Sequence, residues 1–252
     1  MFNIGIDIGS TAAKVAIFNG DDLVSTFTMP TGWSSLETAE SIKNRIDKEF
    51  NICSKDYKVV ATGYGRVSVP YADKTITEIT CHGKGAAYLY HKDCTVIDIG
   101  GQDTKIITLE DGMVKDFIMN DKCSAGTGRF MEIMANVLGL SIDEICDFAS
   151  RGGGITISSM CTVFAESEVI SLIGRGEKKE DIAFAVIDSI VSKVNSLCGR
   201  HSDGNKYFLT GGLCDCDYIV ESLSKKLDKD IKTRKEARYA GAIGAALLSK
   251  KL

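Results

Sequence analysis

Residues 3–24 read NIGIDIGSTAAKVAIFNGDDLV, and residues 95–114 read TVIDIGGQDTKIITLEDGMV. In each, an apolar run enters Asp-Ile-Gly and a Lys follows at the same offset (Asp7 and Lys14, Asp98 and Lys105). A second apolar run then ends in a polar turn closed by Gly20 or Gly112. Such runs bounded by Gly and Asp predict two β-hairpins. Their recurrence predicts a duplicated α/β lobe. An Asp at the end of a buried strand stands at the mouth of a cleft, and the Gly after it lets backbone N–H groups approach a phosphate. Ser10 and Thr11 add hydroxyls, and Lys14 adds charge for the same anion. One copy alone reads as an ordinary capped hairpin. Two facing copies give a cleft with a carboxylate on each wall, which suits a nucleotide–Mg²⁺ complex. No GxxxxGK[ST] run occurs, so a Walker-type ATPase is excluded.

Composition narrows the class further. The chain has 252 residues, 44% hydrophobic and 25% charged, with a formal net charge of −4. Neither disorder nor phosphate-driven nucleic-acid binding fits that balance. The opening MFNIGIDIGS lacks a basic n-region, so no signal peptide is expected. No apolar run is expected to approach the ~20 residues of a membrane span. A soluble, cytoplasmic protein that binds neither nucleic acid nor membrane is the expectation. Gly is 25 against 2 Pro, which predicts many tight turns and close backbone approaches. Nine cysteines, an odd number without an export signal, argue against a disulfide framework. No CxxC pair is present, so a cluster closed within one chain is not expected. Cys81-His82 reads as packing, and Cys214 with Cys216 is not read as a second metal site. Glu166 and Glu168 read as a partner-facing or solvated face, and Lys178–Asp181 as a solvated turn or helix start.

The middle of the chain carries two unusual stretches, MNDKCSAGTGRFMEIM (119–134) and SSMCTVFAESEVISLIG (158–174). Each places a Cys, Cys123 or Cys161, directly before a Ser or Thr and then a helix. Ser124 or Thr127 is positioned to cap the first helix and Thr162 the second. Phe130, Ile133, Met134 and Val137 keep helical spacing; Val163, Phe164, Val169, Ile170 and Ile173 keep it less regularly. A thiolate at a helix N-terminus lies near the positive end of the dipole, and the same N–H groups suit an anionic iron–sulfur cluster. Partly buried thiols beside helix caps are the equal alternative. Two thiolates cannot complete a four-thiolate cluster, but a twofold dimer supplies four.

The two hairpins resemble the phosphate-1 and phosphate-2 loops of the actin/Hsp70/sugar-kinase superfamily. YFLTGG (207–212) is similar to its adenosine loop, and YAGAIGAALL (239–248) to a small-residue helix that packs closely on a neighbour. The fold implied is α/β, a two-lobed actin/Hsp70/sugar-kinase-like ATPase fold with duplicated mixed sheets around a nucleotide cleft. The N-terminal lobe is expected over residues 1–91 and the C-terminal lobe over 92–252, with the final helix packing back across the cleft. TGYGR (62–66), ITEITCHGKGA (76–86), VIDIGGQDTK (96–105), NDKCSAGTGRF (120–130) and CTVFAESEVIS (161–171) resemble, along nearly the whole chain, the activator (component A, archerase) family of 2-hydroxyacyl-CoA dehydratases. That family has relatives in the benzoyl-CoA reductase system.

The resemblance implies an ATP-driven one-electron donor of anaerobes. Cys123 and Cys161 of each protomer would ligate one [4Fe–4S] cluster shared across a homodimer. A ferredoxin or flavodoxin would be the electron donor, and an iron–sulfur dehydratase or a benzoyl-CoA-type reductase the acceptor. ATP–Mg²⁺ would lie in the cleft, with Asp7 and Asp98 orienting Mg²⁺ and the attacking water and Gln102 positioning that water. Gly9, Ser10, Thr11, Ala12, Ala13, Lys14, Gly100 and Gly101 would hold phosphates. Gly211, Gly212 and Asp215 would meet the adenosine, and Arg238 would stack on adenine. Two departures stand out: residues 211–216 read GGLCDC where the family reads GGVAxN, and Arg238 stands where it favours Gln. Nucleotide affinity or base selectivity is therefore expected to differ. A small-molecule kinase like type III pantothenate kinase explains the carboxylates and glycines equally well, but not the two helix-heading cysteines.

Overall fold

The computed structural model describes residues 1–50, 56–120, 123–158, 161–201, 204 and 206–252. The chain divides into two compact units. The first holds Met1–Asp93, Leu109–Asp116 and Glu236–Leu252; the second holds Cys94–Thr108 and Phe117–Lys235. The sequence reading puts a single division at residue 91, whereas the C-terminal segment joins the first unit. A run of Gly and Ala acquires a stable place only where a partner surface admits close approach, and that surface lies on the first unit.

In the first unit, β1 (Phe2–Ile8), β2 (Ala12–Asn19), β3 (Asp22–Pro30), β4 (Tyr57–Thr62) and β5 (Lys74–Thr75) form one sheet in the order β3-β2-β1-β4-β5. β1 and β2 are the expected antiparallel hairpin, with Asp7 opposite Lys14, and β4 runs parallel to β1. The central β1 is buried on both faces, so it reads as a nearly continuous apolar run. Ile4, Ile6 and Ile8 pack with Val15, Ile17 and Val59, covered by Ile42 and Ile46 of helix α1 (Ser35–Phe50). Helix α2 (Glu78–Tyr90) and the C-terminal helix Ala240–Ser249 lie on this unit.

The second unit repeats the plan. Strands β6 (Thr95–Ile99), β7 (Thr104–Glu110) and β8 (Met113–Asn120) are joined by β9 (Tyr207–Gly211) and β10 (Ile231–Lys232), in the order β10-β9-β6-β7-β8. Asp98 stands opposite Lys105 in the β6–β7 hairpin and beside Thr210 of the parallel β9. The expected duplication is thus present down to its register. Between β8 and β9 come helices α3 (Gly128–Leu138), α4 (Ile142–Ala149), α5 (Thr162–Gly174) and α6 (Lys179–Gly199); α7 (Asp217–Leu227) precedes β10, and the C-terminal helix is α8.

Two expectations are corrected. First, α6 is long and apolar enough, by length and composition alone, to cross a membrane. More than half of it is buried, with Ile182, Val186, Ile190 and Val194 in the core, so its apolarity is that of a central core helix. Second, Cys146 of α4 and Cys216 at the head of α7 are disulfide-bonded. Their Cα atoms lie 6.4 Å apart, a span a disulfide bridges, yet they are 70 residues apart in sequence. Only the packing of α4 and α7 in one unit brings them together.

Candidate functional site

The first loop, Gly9–Thr11, leaves the end of β1 and returns into β2. Gly9 N–H donates to Ala12 O (3.2 Å), Thr31 Oγ1 donates to Gly9 O (2.8 Å), and Thr31 N–H donates to Thr11 O (3.0 Å). The loop is braced from behind while Ser10, Ala12 and Lys14 stay half-buried, Thr11 is exposed and Ala13 is buried. Asp7 is 3% exposed. Its carboxylate is hydrogen-bonded by none of the described side chains, and two glycines keep room around it. A Cβ on Gly63, which has φ +85°, would collide with Asp7 Oδ1, and one on Gly241 would lie 2.5 Å from Asp7 Oδ2. The same Cβ would lie 2.8 Å from His82 Cε1, so the buried His82 borders the Asp7 carboxylate across Gly241. The burial of Cys81 and His82 agrees with their reading as packing, whereas the place of Gly241 beside Asp7 was not read from the sequence.

The second loop is built differently. Asp98 is 1% exposed. Its Oδ1 accepts from Thr210 Oγ1 (2.9 Å), and its Oδ2 accepts from Lys105 Nζ (3.3 Å). Lys105, equally buried, also donates to Asp103 Oδ1 at 2.6 Å. Gly100 N–H donates to Asp103 O (2.8 Å), closing the turn, while the Gln102 side chain is exposed. Both Asp98 oxygens are engaged, one by a cation. A fully buried cation with two carboxylates forms a fixed charge cluster. The Asp7 carboxylate, by contrast, keeps its lone pairs and suits a hydrated Mg²⁺, which is bound through one or two carboxylates and keeps several waters. Asp103, Lys105 and Thr210 escape prediction as a group because they meet Asp98 through strand register.

The third loop follows β9. Gly211 has φ +92° and passes so close to Ile99 O that a side chain there would clash with it; Gly212 N–H donates to Ile99 O (3.2 Å) and Gly212 faces open space. Asp215 is exposed, Cys214 is buried with its thiol 3.5 Å from Asp215 Oδ1, and Cys216 heads α7. Arg238, half-buried, lies in a short 3₁₀ turn of the first unit, Lys235–Tyr239.

Cys161 is the N-cap of α5 and is exposed; Cys123 is half-buried. They are neighbours through the residue after each, since Ser124 Oγ and Thr162 Oγ1 hydrogen-bond at 2.7 Å. Cys81, Cys94, Cys198 and Cys214 are buried, and burial pushes the Cys81 and Cys198 thiols up to about 12. Among the described cysteines outside the disulfide, the two that reach the surface are therefore the two singled out from the sequence. Soft thiolate donors of that kind suit an iron–sulfur cluster. The two helices differ, however. Cys161 directly heads α5, whose first N–H groups lack intrahelical partners. Cys123 instead sits in the loop ahead of α3, where Asn120 Nδ2 donates to Cys123 O (3.2 Å). The first N–H groups of α3 are already used, Gly128 donating to Gly100 O (2.9 Å) and Arg129 to Gly101 O (2.8 Å). The expectation that both helix N-termini face the thiols holds for α5 alone. Glu168 also has a structural partner: its carboxylate accepts from Ser158 N–H at 3.1 Å, ahead of Cys161.

Residues 4–249 match the model of the BadF/BadG/BcrA/BcrD ATPase family. The chain belongs to that family. It is 39% identical, over 100% of its own length and 98% of the relative's, to the (R)-2-hydroxyglutaryl-CoA dehydratase activating ATPase of Acidaminococcus fermentans. The crystal structure of component A of that dehydratase superposes with a TM-score of 0.93, covering 100% of this chain and 98% of that one at 39% identity. The activator of the 2-hydroxyisocaproyl-CoA dehydratase from Clostridium difficile, solved with bound ADPNP, superposes at 0.92 with 36% identity, covering 100% and 95%. A glucokinase of the ROK family from Streptomyces griseus, 12% identical with a TM-score of 0.62, shares the fold alone. The family member described here therefore has the two-sheet α/β fold of the activators.

Proposed function

We propose that this chain is an ATP-dependent one-electron donor acting on a partner iron–sulfur enzyme, a 2-hydroxyacyl-CoA dehydratase or a benzoyl-CoA-type reductase. It would work as a cytoplasmic homodimer supplied by a ferredoxin or flavodoxin. One observation carries the reading: Cys123 and Cys161, joined through the Ser124–Thr162 hydrogen bond, are accessible while the other described thiols are buried or disulfide-bonded. In this reading each protomer contributes these two thiolates to a [4Fe–4S] cluster, which supplies a low-potential electron when bound. The phosphate-1 loop, Gly9–Lys14, and the phosphate-2 loop, Gly100–Gln102, hold the nucleotide's phosphates. Asp7, with open lone pairs, takes the Mg²⁺ side. Asp98, held by Lys105 and Thr210, orients the attacking water together with Gln102. Gly211, Gly212 and Asp215 meet the adenosine, and Arg238 meets the base.

In this reading the coupling runs through backbone and side-chain hydrogen bonds of the second unit. A nucleotide that shifts the Gly100–Gly101 turn pulls on the first turn of α3. Thr127 Oγ1 donates to Ser124 O, so the displacement reaches the Cys123 loop and, through Thr162, the head of α5. Moving the N-terminal end of α5 changes the field at Cys161. Exposed Val163 and Phe164 beside Cys161, with Ile170 and Ile173 further along α5, supply an apolar face for the second protomer.

The test is anaerobic purification with iron and sulfide quantitation, and EPR after dithionite reduction, on wild type and Cys161→Ser. About four irons per dimer and a reduced-cluster signal, both lost in the variant, are expected. An iron-free dimer that resists reconstitution, yet consumes ATP only with a small-molecule acceptor, overturns the reading in favour of a kinase.

A further inference from the structure

We propose that Cys146 and Cys216 are a reversible redox-modification site that sets how fast the adenosine loop releases nucleotide. This rests on reading residues 211–216 as that loop. Cys146 is fixed: α4 begins in a capping box, Ser141 Oγ accepting from Glu144 N–H (3.2 Å) and Glu144 Oε2 accepting from Ser141 N–H (2.7 Å), and it packs on α6 and α7. Cys216 ends a loop whose own turn bonds are long, although Gly212 N–H donates to Ile99 O (3.2 Å), Leu213 and Cys214 are buried, and Cys216 O accepts from Ile219 N–H (3.0 Å) at the head of α7. Cys214 N–H reaches Gly211 O at 3.4 Å and Cys216 N–H reaches Leu213 O at 3.3 Å, while Gly212 and Asp215 face outward. The sulfur bridge adds a covalent tie between this loop and α4, 70 residues away in sequence.

Both cysteines line a surface groove of about 410 Å³ with Asp143, Asp147, Asp215 and Glu221. A small disulfide or dithiol can therefore reach the half-buried Cys216, whereas Cys146 and Cys198 are buried. The chemistry balances with one co-reactant. One protein thiolate attacks a low-molecular-weight disulfide and releases its first thiol. The second protein thiolate then attacks the mixed disulfide, closing the Cys146–Cys216 bond and releasing the second thiol. Two electrons and two protons pass from the protein to the reagent, and a reduced dithiol reverses the exchange. The tied loop is preorganised, so it loses less freedom when nucleotide binds and releases it more slowly. The reduced loop is freer and releases faster.

The holo-dimer is equilibrated with oxidised glutathione or with dithiothreitol, alkylated, and mapped by mass spectrometry; release of mant-ADP is followed by stopped flow. A Cys146–Cys216 peptide and about fivefold slower release are expected in the oxidised protein. Both effects should be absent in Cys146→Ser and Cys216→Ser and retained in Cys198→Ser. Alkylation of both thiols after oxidised glutathione, or a formed bond with equal release rates, overturns the proposal. If neither form binds mant-ADP, the nucleotide reading fails and the release proposal with it, while the mapping still reports the bond.

Discussion

Lys105 shows how much chemistry one buried residue carries. It is a fully buried cation between Asp98 and Asp103, and removing one partner of such a cluster leaves uncompensated charge. Lys105→Met is expected to cost about 3–5 kcal/mol in guanidinium unfolding and to abolish ATPase activity. A stable, active variant would show that the cluster neither holds the strand end nor orients Asp98. The buried thiols make a pH prediction. Burial raises the Cys81 and Cys198 thiols from 9.0 to about 12, so the folded state holds those protons more tightly than the unfolded chain. Their contribution is complete below pH 9.0 and is lost as pH rises towards about 12. Urea unfolding across that window should show a falling midpoint for wild type and a shallower fall for Cys198→Ala. Asp7 and Asp98 were legible in the sequence because an apolar run, an Asp and a Gly form a local pattern. Thr210 and Asp103 were not legible as their partners, because they meet Asp98 through strand pairing and side-chain geometry.

Among the elements, the α2–α8 contact is tightly constrained. A Cβ on Gly244 of α8 would collide with the carbonyl oxygen of Cys81 in α2, and one on Gly85 of α2 with that of Ala240. Backbone cannot give way as a flexible side chain does, so Gly244→Ala is expected to cost about 1–3 kcal/mol. Gly153→Ala, whose Cβ meets open space, should stay within about 0.5 kcal/mol. Denaturant midpoints of the two variants check this, and equal midpoints would count against a backbone clash. The close packing of 239–248 was readable from its small residues, but its partner was not. The irregular apolar spacing of α5 also finds its cause. Ala165, Val169 and Leu172 face the core, while Val163, Phe164, Ile170 and Ile173 face outward. A helix with two apolar faces blurs the single stripe that periodicity detects.

Taken as a whole molecule, the chain holds two similar sheets and leaves Val163, Phe164, Ile170 and Ile173 of α5 exposed, the face assigned above to the proposed dimer. Phe164 is 67% exposed, so Phe164→Asp should change the unfolding midpoint little, within about 0.5 kcal/mol. It should nevertheless shift analytical ultracentrifugation from dimer to monomer at low micromolar concentration, with loss of bound iron. A variant that stays dimeric and loaded places the interface elsewhere.

The sequence by itself determined the duplicated hairpins, the α/β class, the carboxylate at each strand end and the two cysteines, Cys123 and Cys161, set ahead of helices. Each of these is a local pattern of polarity, turn residues and spacing, which short-range sterics and burial enforce. Only the tertiary structure decided that Lys105 binds two carboxylates, that Glu236–Leu252 belong with the first unit, that α3 spends its first N–H groups on Gly100 and Gly101, and that Cys146 meets Cys216. Those facts depend on which surfaces pack together. Packing is settled by shape and volume across residues far apart in the chain, and no local pattern encodes it.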